Sequence, residues 1–212
     1  MVLYSSLEFT DLDFLISSKF YQKELQQWPY KEFWLTEAFL HKGGQYFSKI
    51  TGVVVFLILL RSFSQKSALF SCRKPLAFLF VASVTGPIII AILKNTTHIY
   101  CPWDLAMFGG EKPYIRLFDF ISADQEVGRC FPAGHAGGGF TFISLYFFLM
   151  AIKPQYKQYG LAFGLILGLV YGIAQQMRGA HFLSHDLCAL AICWLSSLTL
   201  FLLFFRKNLH WQ

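Results

Sequence analysis

The sequence predicts an all-α fold, a polytopic membrane bundle of about five spanning helices with an N-terminal interfacial helix. The chain has 212 residues, of which 55% are hydrophobic and only 14% are charged, and 24 of them are phenylalanine. An average soluble domain has a charged fraction of about 25%. Composition therefore favours a protein that is embedded in a lipid bilayer.

Five segments lack Asp, Glu, Lys and Arg over roughly the length that crosses a ~30 Å hydrocarbon core. They are residues 50–60 extended at the N-terminal side, 75–93, 136–152, 159–177 and 187–205. The first is the weakest because Lys49 and Arg61 flank it, and both charged ends would have to reach the interfaces. We still predict that it spans the membrane.

The segment before the first span has an amphipathic pattern. Trp34, Leu35, Ala38 and Phe39 fall on one face of a helix, which suggests a helix that lies along the interface. A plain solvated helix is the alternative. We therefore divide the chain into an N-terminal interfacial segment, 1–46, and a membrane-embedded domain, 47–212, with an outward loop, 94–135.

Charges in the connecting segments predict the orientation. Segments 61–74, 153–157 and 206–212 contain no acid, and all 12 acidic residues lie on the other side of the membrane. The basic residues of these segments are Arg61, Lys66, Arg73, Lys74, Lys153, Lys157, Arg206 and Lys207. Because excess Lys and Arg in short loops marks the cytoplasm, loops 94–135 and 178–186 should face outward. We predict a bacterial inner-membrane protein with these loops in the periplasm.

This distribution accounts for the net charge of +6 without a nucleic-acid partner, since no basic cluster has interleaved aromatic residues. It also places five of the six histidines on the outer face, namely His41, His98, His135, His181 and His185. Cys101 and Cys130 share the outward loop, where an oxidising compartment permits a disulfide. Whether they are bridged stays open at this point.

Glycine recurs at every fourth residue of the fourth span, at Gly160, Gly164, Gly168 and Gly172. Such a strip lets a neighbouring backbone approach closely. It could pack within the chain or between chains, so the oligomeric state is open. Gly137, Gly138 and Gly139 could serve packing in the same way, or could hold an anion at a helix N-terminus.

Ionisable residues beside the spans form the candidate site. Such groups next to hydrocarbon are costly and indicate function. The set consists of Lys94, Arg129, His135, Arg178, His181 and Asp186. Cations can neutralise the oxygens of a phosphoryl group, and two histidines can supply a nucleophile and a proton donor. A carboxylate next to the nucleophile can fix its tautomer, as in catalytic triads.

Three motifs in this set resemble those of the type-2 phosphatidic acid phosphatase superfamily. Residues 132–135, Pro-Ala-Gly-His, resemble its Pro-Ser-Gly-His motif, and residues 179–184, Gly-Ala-His-Phe-Leu-Ser, resemble its Gly-Val-His-Tyr-Pro-Ser stretch. Lys94 stands seven residues before Cys101-Pro102, in the register of its Lys-x6-Arg-Pro motif. The resemblance extends over about residues 50–205 and includes the order of spans and motifs.

The resemblance implies a phosphatase that needs neither a metal nor a cofactor and acts on a membrane lipid phosphate through a phosphohistidine. Carried over to this sequence, His181 would be the nucleophile, His135 the general acid and Lys94 a phosphate ligand. Arg178, Arg129 and Asp186 would complete the site.

The chain departs from the family pattern at four positions. Cys101 and Gln175 stand where the family has arginine, Ala133 where it has serine and His185 where it has aspartate. Arg178 lies three residues after Gln175, and therefore on the same helical face if the helix continues. Asp186 lies one residue beyond the expected aspartate. We therefore expect Asp186→Asn to reduce activity more than His185→Ala.

Three other functions fit the same residues. His181, His185, Asp186 and His135 could hold a metal ion, since histidines four residues apart occur in helical zinc sites. A lipid-to-lipid phosphotransferase would use the same groups with an alcohol as acceptor. A non-catalytic lipid-binding relative would explain the missing arginines. By their positions, His41 and His98 are expected to be interfacial and loop residues without a catalytic role.

Overall fold

The computed structural model describes residues 10–122 and 125–206, and within them six helices follow one another. They are α1 (Leu12–Ser18), α2 (Leu35–Ser62), α3 (Phe70–Lys94), α4 (Gly134–Ile152), α5 (Pro154–Met177) and α6 (Leu183–Phe205). The last five are long and apolar enough to cross a membrane. Even the shortest, with 19 residues, is about 28 Å long at 1.5 Å per residue. The predicted all-α bundle with five spanning helices is confirmed.

Helix α2 is longer than its uncharged core of residues 50–60. A π-helical stretch, Leu35–Gly43, leads without interruption into the α-helix Gly44–Ser62. The amphipathic segment is thus the first part of this helix, and the predicted boundary after residue 46 falls inside it. Trp34 and Phe39 are each 64% exposed, so the protein leaves this apolar face uncovered.

Helix α4 lies at the centre of the bundle and contacts the other four spanning helices. Its closest neighbour is α5, whose glycine strip faces it. A methyl group at Gly164 would overlap the backbone of Ile143, and one at Gly160 would come within 2.8 Å of the Leu145 carbonyl carbon. The strip therefore packs within the chain, as small residues do between membrane helices.

The glycines near the start of α4 also serve packing. A methyl group at Gly137 would overlap the side chain of Ile90, and one at Gly139 would lie 2.6 Å from the Cα of Gly168. Apolar side chains from α3, α4 and α6 fill the rest of the core. The largest buried ones include Phe78, Phe140, Ile143, Phe147 and Phe201.

A second, aromatic core covers the end of the bundle where α3 ends and α4 and α6 begin. It joins the N-terminal segment and the loop after α3 to the start of α6 through Trp28, Tyr100, Leu105, Phe108 and Phe182. The Oδ1 atom of Asp13 in α1 accepts a hydrogen bond from the backbone N–H of Ser184 at 3.0 Å. This contact satisfies one of the free N–H groups at the N-terminus of α6. The aromatic core and α1 together form a cap, which covers the end of the bundle that carries the candidate residues.

Candidate active site

A cavity of about 1200 Å³ opens at this end of the bundle, between α2, α3, α4 and the end of α5. Its polar end is lined by His41, Lys94, Cys101, Gly134, His135, Gln175, Arg178 and His181. Its apolar part continues along α2 and α3, where Phe47, Phe56, Leu79, Phe80, Val84 and Ile88 line it. Four of the six predicted site residues, namely Lys94, His135, Arg178 and His181, thus meet in one cavity.

His181 lies in the short turn between α5 and α6 and is 5% exposed. Gly179 makes this turn possible, since its φ of 75° is a conformation that favours glycine. The Nδ1 atom of His181 lies 3.5 Å from Nδ1 of His185 and 3.5 Å from Sγ of Cys130. Because these contacts occupy Nδ1, the nitrogen left for the cavity is Nε2.

The electrostatic surroundings of His181 favour its neutral form. Burial lowers the pKa of its imidazole well below the usual value, and the charge of Lys94 lowers it further. A neutral imidazole has a lone pair on one ring nitrogen. His181 therefore has the protonation state that a nucleophile requires at neutral pH.

Asp186 is not placed next to His181 as the sequence led us to expect. Its Oδ2 atom accepts a hydrogen bond of 2.7 Å from Nε2 of Gln176 in α5. Its Oδ1 atom has no hydrogen-bond partner among the described residues. The position beside His181 is taken by His185, one residue earlier on α6.

His135 is the second residue of α4 and stacks on the ring of Tyr171, with 4.6 Å between the ring centroids. Its Nε2 atom lies 2.9 Å from the backbone carbonyl oxygen of Leu40, to which it can only donate. The carbonyl thus fixes the orientation of the imidazole. The free ring nitrogen is Nδ1.

Arg178 follows the last turn of α5 and is held by two acceptors. Its Nε donates to the backbone carbonyl of Lys31 at 2.9 Å, and its Nη1 donates to Oε1 of Gln175 at 3.1 Å. Burial lowers the pKa of Arg178, although an arginine remains charged at neutral pH. The guanidinium is thus a fixed positive charge on the wall of the cavity.

Gln175 is a site residue that sequence reasoning treated only as a missing arginine. It is 2% exposed, and its Oε1 accepts from Arg178. Its Nε2 is buried without a hydrogen-bond partner among the described residues. Because an unpaired buried donor is costly, this amide is suited to an acceptor oxygen of a ligand. Gln175 stands at the position where the family motif has an arginine, and this position could have identified it as a site residue.

Arg129, which we predicted as a phosphate ligand, does not line the cavity. It is exposed in the loop before α4, has a φ of 53° and is absent from the cavity wall. Proximity in sequence to His135 suggested a shared site, but the loop directs the arginine to the surface. Lys94 and Arg178 are therefore the lysine and arginine that line the polar end of the cavity, while Lys49 lines it farther along α2.

Cys101 and Cys130, whose pairing the sequence left open, form a disulfide that links the loop after α3 to the residues that precede α4. Cys101, which replaces a family arginine, lines the cavity. His98 lies outside the cavity, with Nδ1 at 3.1 Å from the Glu126 carbonyl oxygen, as expected of a loop residue. His41, in contrast, lines the cavity and was missed.

The ligand set of the metal alternative is not assembled. In the described part of the chain, Cys101, Cys130 and His181 form the group of three or more potential ligand atoms that come together. The two cysteines of this group are bonded to each other. Asp186 is directed towards Gln176 rather than towards His181. The donors around the cavity, Lys94, Gln175 and Arg178, suit an anion.

A family model described as the PAP2 superfamily matches residues 75–209. The match extends from α3 through α6 and includes Lys94, His135, Gln175, Arg178 and His181. No curated protein and no solved structure matches the chain.

Proposed function

Because the chain belongs to the PAP2 superfamily, whose members act on phosphate esters, we propose that it is a phosphatase that hydrolyses a membrane lipid phosphate through a phosphohistidine at His181. The observation that carries this proposal is the form of the cavity. One end gathers positive charge and hydrogen-bond donors around two histidines, and the other end is an apolar groove between membrane helices.

The apolar part of the cavity supports a lipid substrate. Between Lys94 at the polar end and Leu79 in the groove, α3 advances 15 residues, which is about 22 Å at 1.5 Å per residue. A groove of this length suits a hydrocarbon chain of a lipid whose phosphate reaches Lys94. Burial of that chain contributes to binding without polar contacts.

In the first step, the Nε2 lone pair of neutral His181 attacks phosphorus, and the bond from phosphorus to the lipid oxygen breaks. His135, protonated at Nδ1, transfers that proton to the departing oxygen. This transfer requires His135 to be protonated on both ring nitrogens. The Leu40 carbonyl stabilises that imidazolium, because it accepts a hydrogen bond from the Nε2–H of His135. Lys94, Arg178 and the Nε2 amide of Gln175 bind the non-bridging oxygens, where charge accumulates in the transition state.

In the second step, water attacks the phosphohistidine while His135 takes its proton, and inorganic phosphate leaves. His185 keeps the ring of His181 oriented through their Nδ1 contact. A phosphotransferase would differ only in its acceptor, since an alcohol would replace water. Metal ions have no part in either step.

A panel of lipids tests this function. Purified full-length protein is assayed for phosphate release from phosphatidic acid, undecaprenyl pyrophosphate and lipid A, with and without EDTA. We expect release from at least one lipid that survives EDTA and is lost in His181→Ala. His98→Ala is the matched control, because His98 lies outside the cavity, and its activity should equal that of the wild type.

Each other outcome selects an alternative. Loss of activity with EDTA would support a metal enzyme. Phosphate that appears on an added lipid alcohol instead of in solution would identify a phosphotransferase. Release from none of the lipids would leave the non-catalytic binding protein.

A further inference from the structure

The polar end of the cavity depends on a segment that precedes the part of the chain matched to the family. The carbonyl of Lys31 accepts from Arg178, and the carbonyl of Leu40 accepts from His135. The hydroxyl of Tyr171, whose ring stacks on His135, donates to the carbonyl of Gly44 at 3.3 Å. Residues 31–44 therefore complete the surroundings of the candidate site.

This segment also places a third histidine in the cavity. The ring of His41 meets the ring of His135 edge to face, with 4.9 Å between the centroids. His41 lines the cavity next to His135, the proposed proton donor, so its role concerns the same reaction centre. The π-helical turn Leu35–Gly43 carries it there, and such turns are frequent at functional sites.

The hydrogen bonding of His41 defines its tautomer. Its Nε2 lies 3.1 Å from the amide nitrogen of Gln45, which can only donate. Nε2 is thus the acceptor, and the ring hydrogen is on Nδ1. That Nδ1 is buried and has no hydrogen-bond partner among the described residues. An unpaired buried donor of this kind is costly unless a ligand supplies an acceptor.

We propose that His41 binds the leaving group of the substrate, by donating from Nδ1 to an oxygen beyond the one that His135 protonates. The inference rests on the proposed function. His135 delivers its proton to the bridging oxygen. Because His41 lies next to His135, a substrate oxygen that accepts a hydrogen bond from His41 belongs to the leaving group. His41 is then a specificity-determining residue supplied by the N-terminal segment.

The chemistry of the leaving group follows from this contact. When a prenyl monophosphate is cleaved, the leaving alcohol has no second oxygen beside the bridging one. When a prenyl diphosphate is cleaved, His181 attacks the terminal phosphorus, the bond to the bridging oxygen breaks, and that oxygen receives the proton of His135. The departing prenyl phosphate has further oxygens that can accept from His41. For a given prenyl chain, His41 therefore favours the diphosphate over the monophosphate.

Farnesyl diphosphate and farnesyl monophosphate test the proposal, since they differ only in the second phosphate. The kcat/KM for phosphate release is measured for the full-length wild type, His41→Ala, His41→Asn and His98→Ala. We expect the wild type to prefer the diphosphate. His41→Ala should lower kcat/KM for the diphosphate by about 10–100-fold, the range for a lost hydrogen bond to a charged group, and for the monophosphate by less than about threefold.

The asparagine variant separates binding from folding. The amide nitrogen of asparagine takes the place of Nδ1, so His41→Asn should restore most of the activity on the diphosphate. His98→Ala should match the wild type on both substrates. A loss in His41→Ala that is equal for the two substrates, or one that His41→Asn does not restore, would overturn the proposal. A wild type that prefers the monophosphate would also overturn it. Wild-type protein that hydrolyses a lipid of the panel but neither probe would overturn this inference alone, whereas no release from the probes or from any lipid of the panel would contradict the proposed function as well.

Discussion

Arg178 is held by two acceptors on the cavity wall, whereas Arg129 is exposed in the preceding loop. Removal of a fixed donor from a transition-state site typically costs about 10²–10³ in kcat. We therefore expect Arg178→Ala to lower the rate of phosphate release by about that factor, and Arg129→Ala to change it by less than about twofold. Steady-state kinetics on the best lipid of the panel would measure both. Comparable losses in the two variants would show that Arg129 reaches the substrate.

His185 contacts His181, the proposed nucleophile, and Asp186 contacts Gln176. Removal of a residue that orients a reacting group often lowers activity by about 10–100-fold. We expect a loss of that size in His185→Ala and less than about threefold in Asp186→Asn, whose amide oxygen can still accept from Gln176. This ranking reverses the one that sequence spacing suggested. A larger kcat loss in Asp186→Asn would restore the aspartate to the orienting role.

At the scale of single residues, motif spacing identified Lys94, His135, Arg178 and His181, which all line the cavity. It did not predict that Arg129 is exposed outside the cavity, because nearness in sequence does not determine which way a loop side chain turns. It also could not rank His185 against Asp186. Neighbouring residues on a helix point about 100° apart, and only the packing of α6 against α5 decides which one meets His181.

At the scale of helices, the glycine strip of α5 determines how closely α4 can approach. A methyl group at Gly164 would overlap the backbone of Ile143, whereas one at Gly52 would have no neighbour within 4 Å. We expect Gly164→Ala to destabilise the protein by roughly 1–3 kcal/mol, as overpacking does. Its thermal unfolding midpoint in detergent should fall by at least about 2 °C. Gly52→Ala should not lower the midpoint, and equal effects of the two substitutions would contradict the packing account.

Hydrophobic length predicted all five spanning helices, because the cost of burying charge in hydrocarbon is visible in the sequence. It did not predict that α2 begins at Leu35, since Lys42 and Lys49 interrupt the apolar run. Contacts between residues that are far apart in the sequence also could not be predicted from it. The carbonyls of Lys31 and Leu40 reach Arg178 and His135 only through the fold, so His41 could not be placed at the site from sequence.

At the scale of the whole molecule, the charge asymmetry predicts that the cavity opens on the outer side of the membrane. Cys72, in the first turn of α3 and within the basic segment 61–74, is a free, half-buried thiol, and Ser122 is exposed in the loop before α4. In intact cells, a membrane-impermeant thiol reagent should modify Ser122→Cys but not Cys72. Cys72 should react once the cells are permeabilised. Mass spectrometry of the modified peptides would report both, and the opposite pattern would place the site in the cytoplasm.

His181 is buried and neutral, and it lines the same cavity as the donors of Arg178 and Gln175. The helix bundle, the cap and the N-terminal segment together produce this arrangement. The most direct test is to quench turnover of the most active lipid, labelled in its phosphate, within the first cycles and in the presence of EDTA. We predict a protein-bound phosphate that is labile to acid and stable to base, located on His181 and absent from His181→Ala. Phosphate release without such a species, or label that persists in His181→Ala, would contradict the phosphohistidine mechanism.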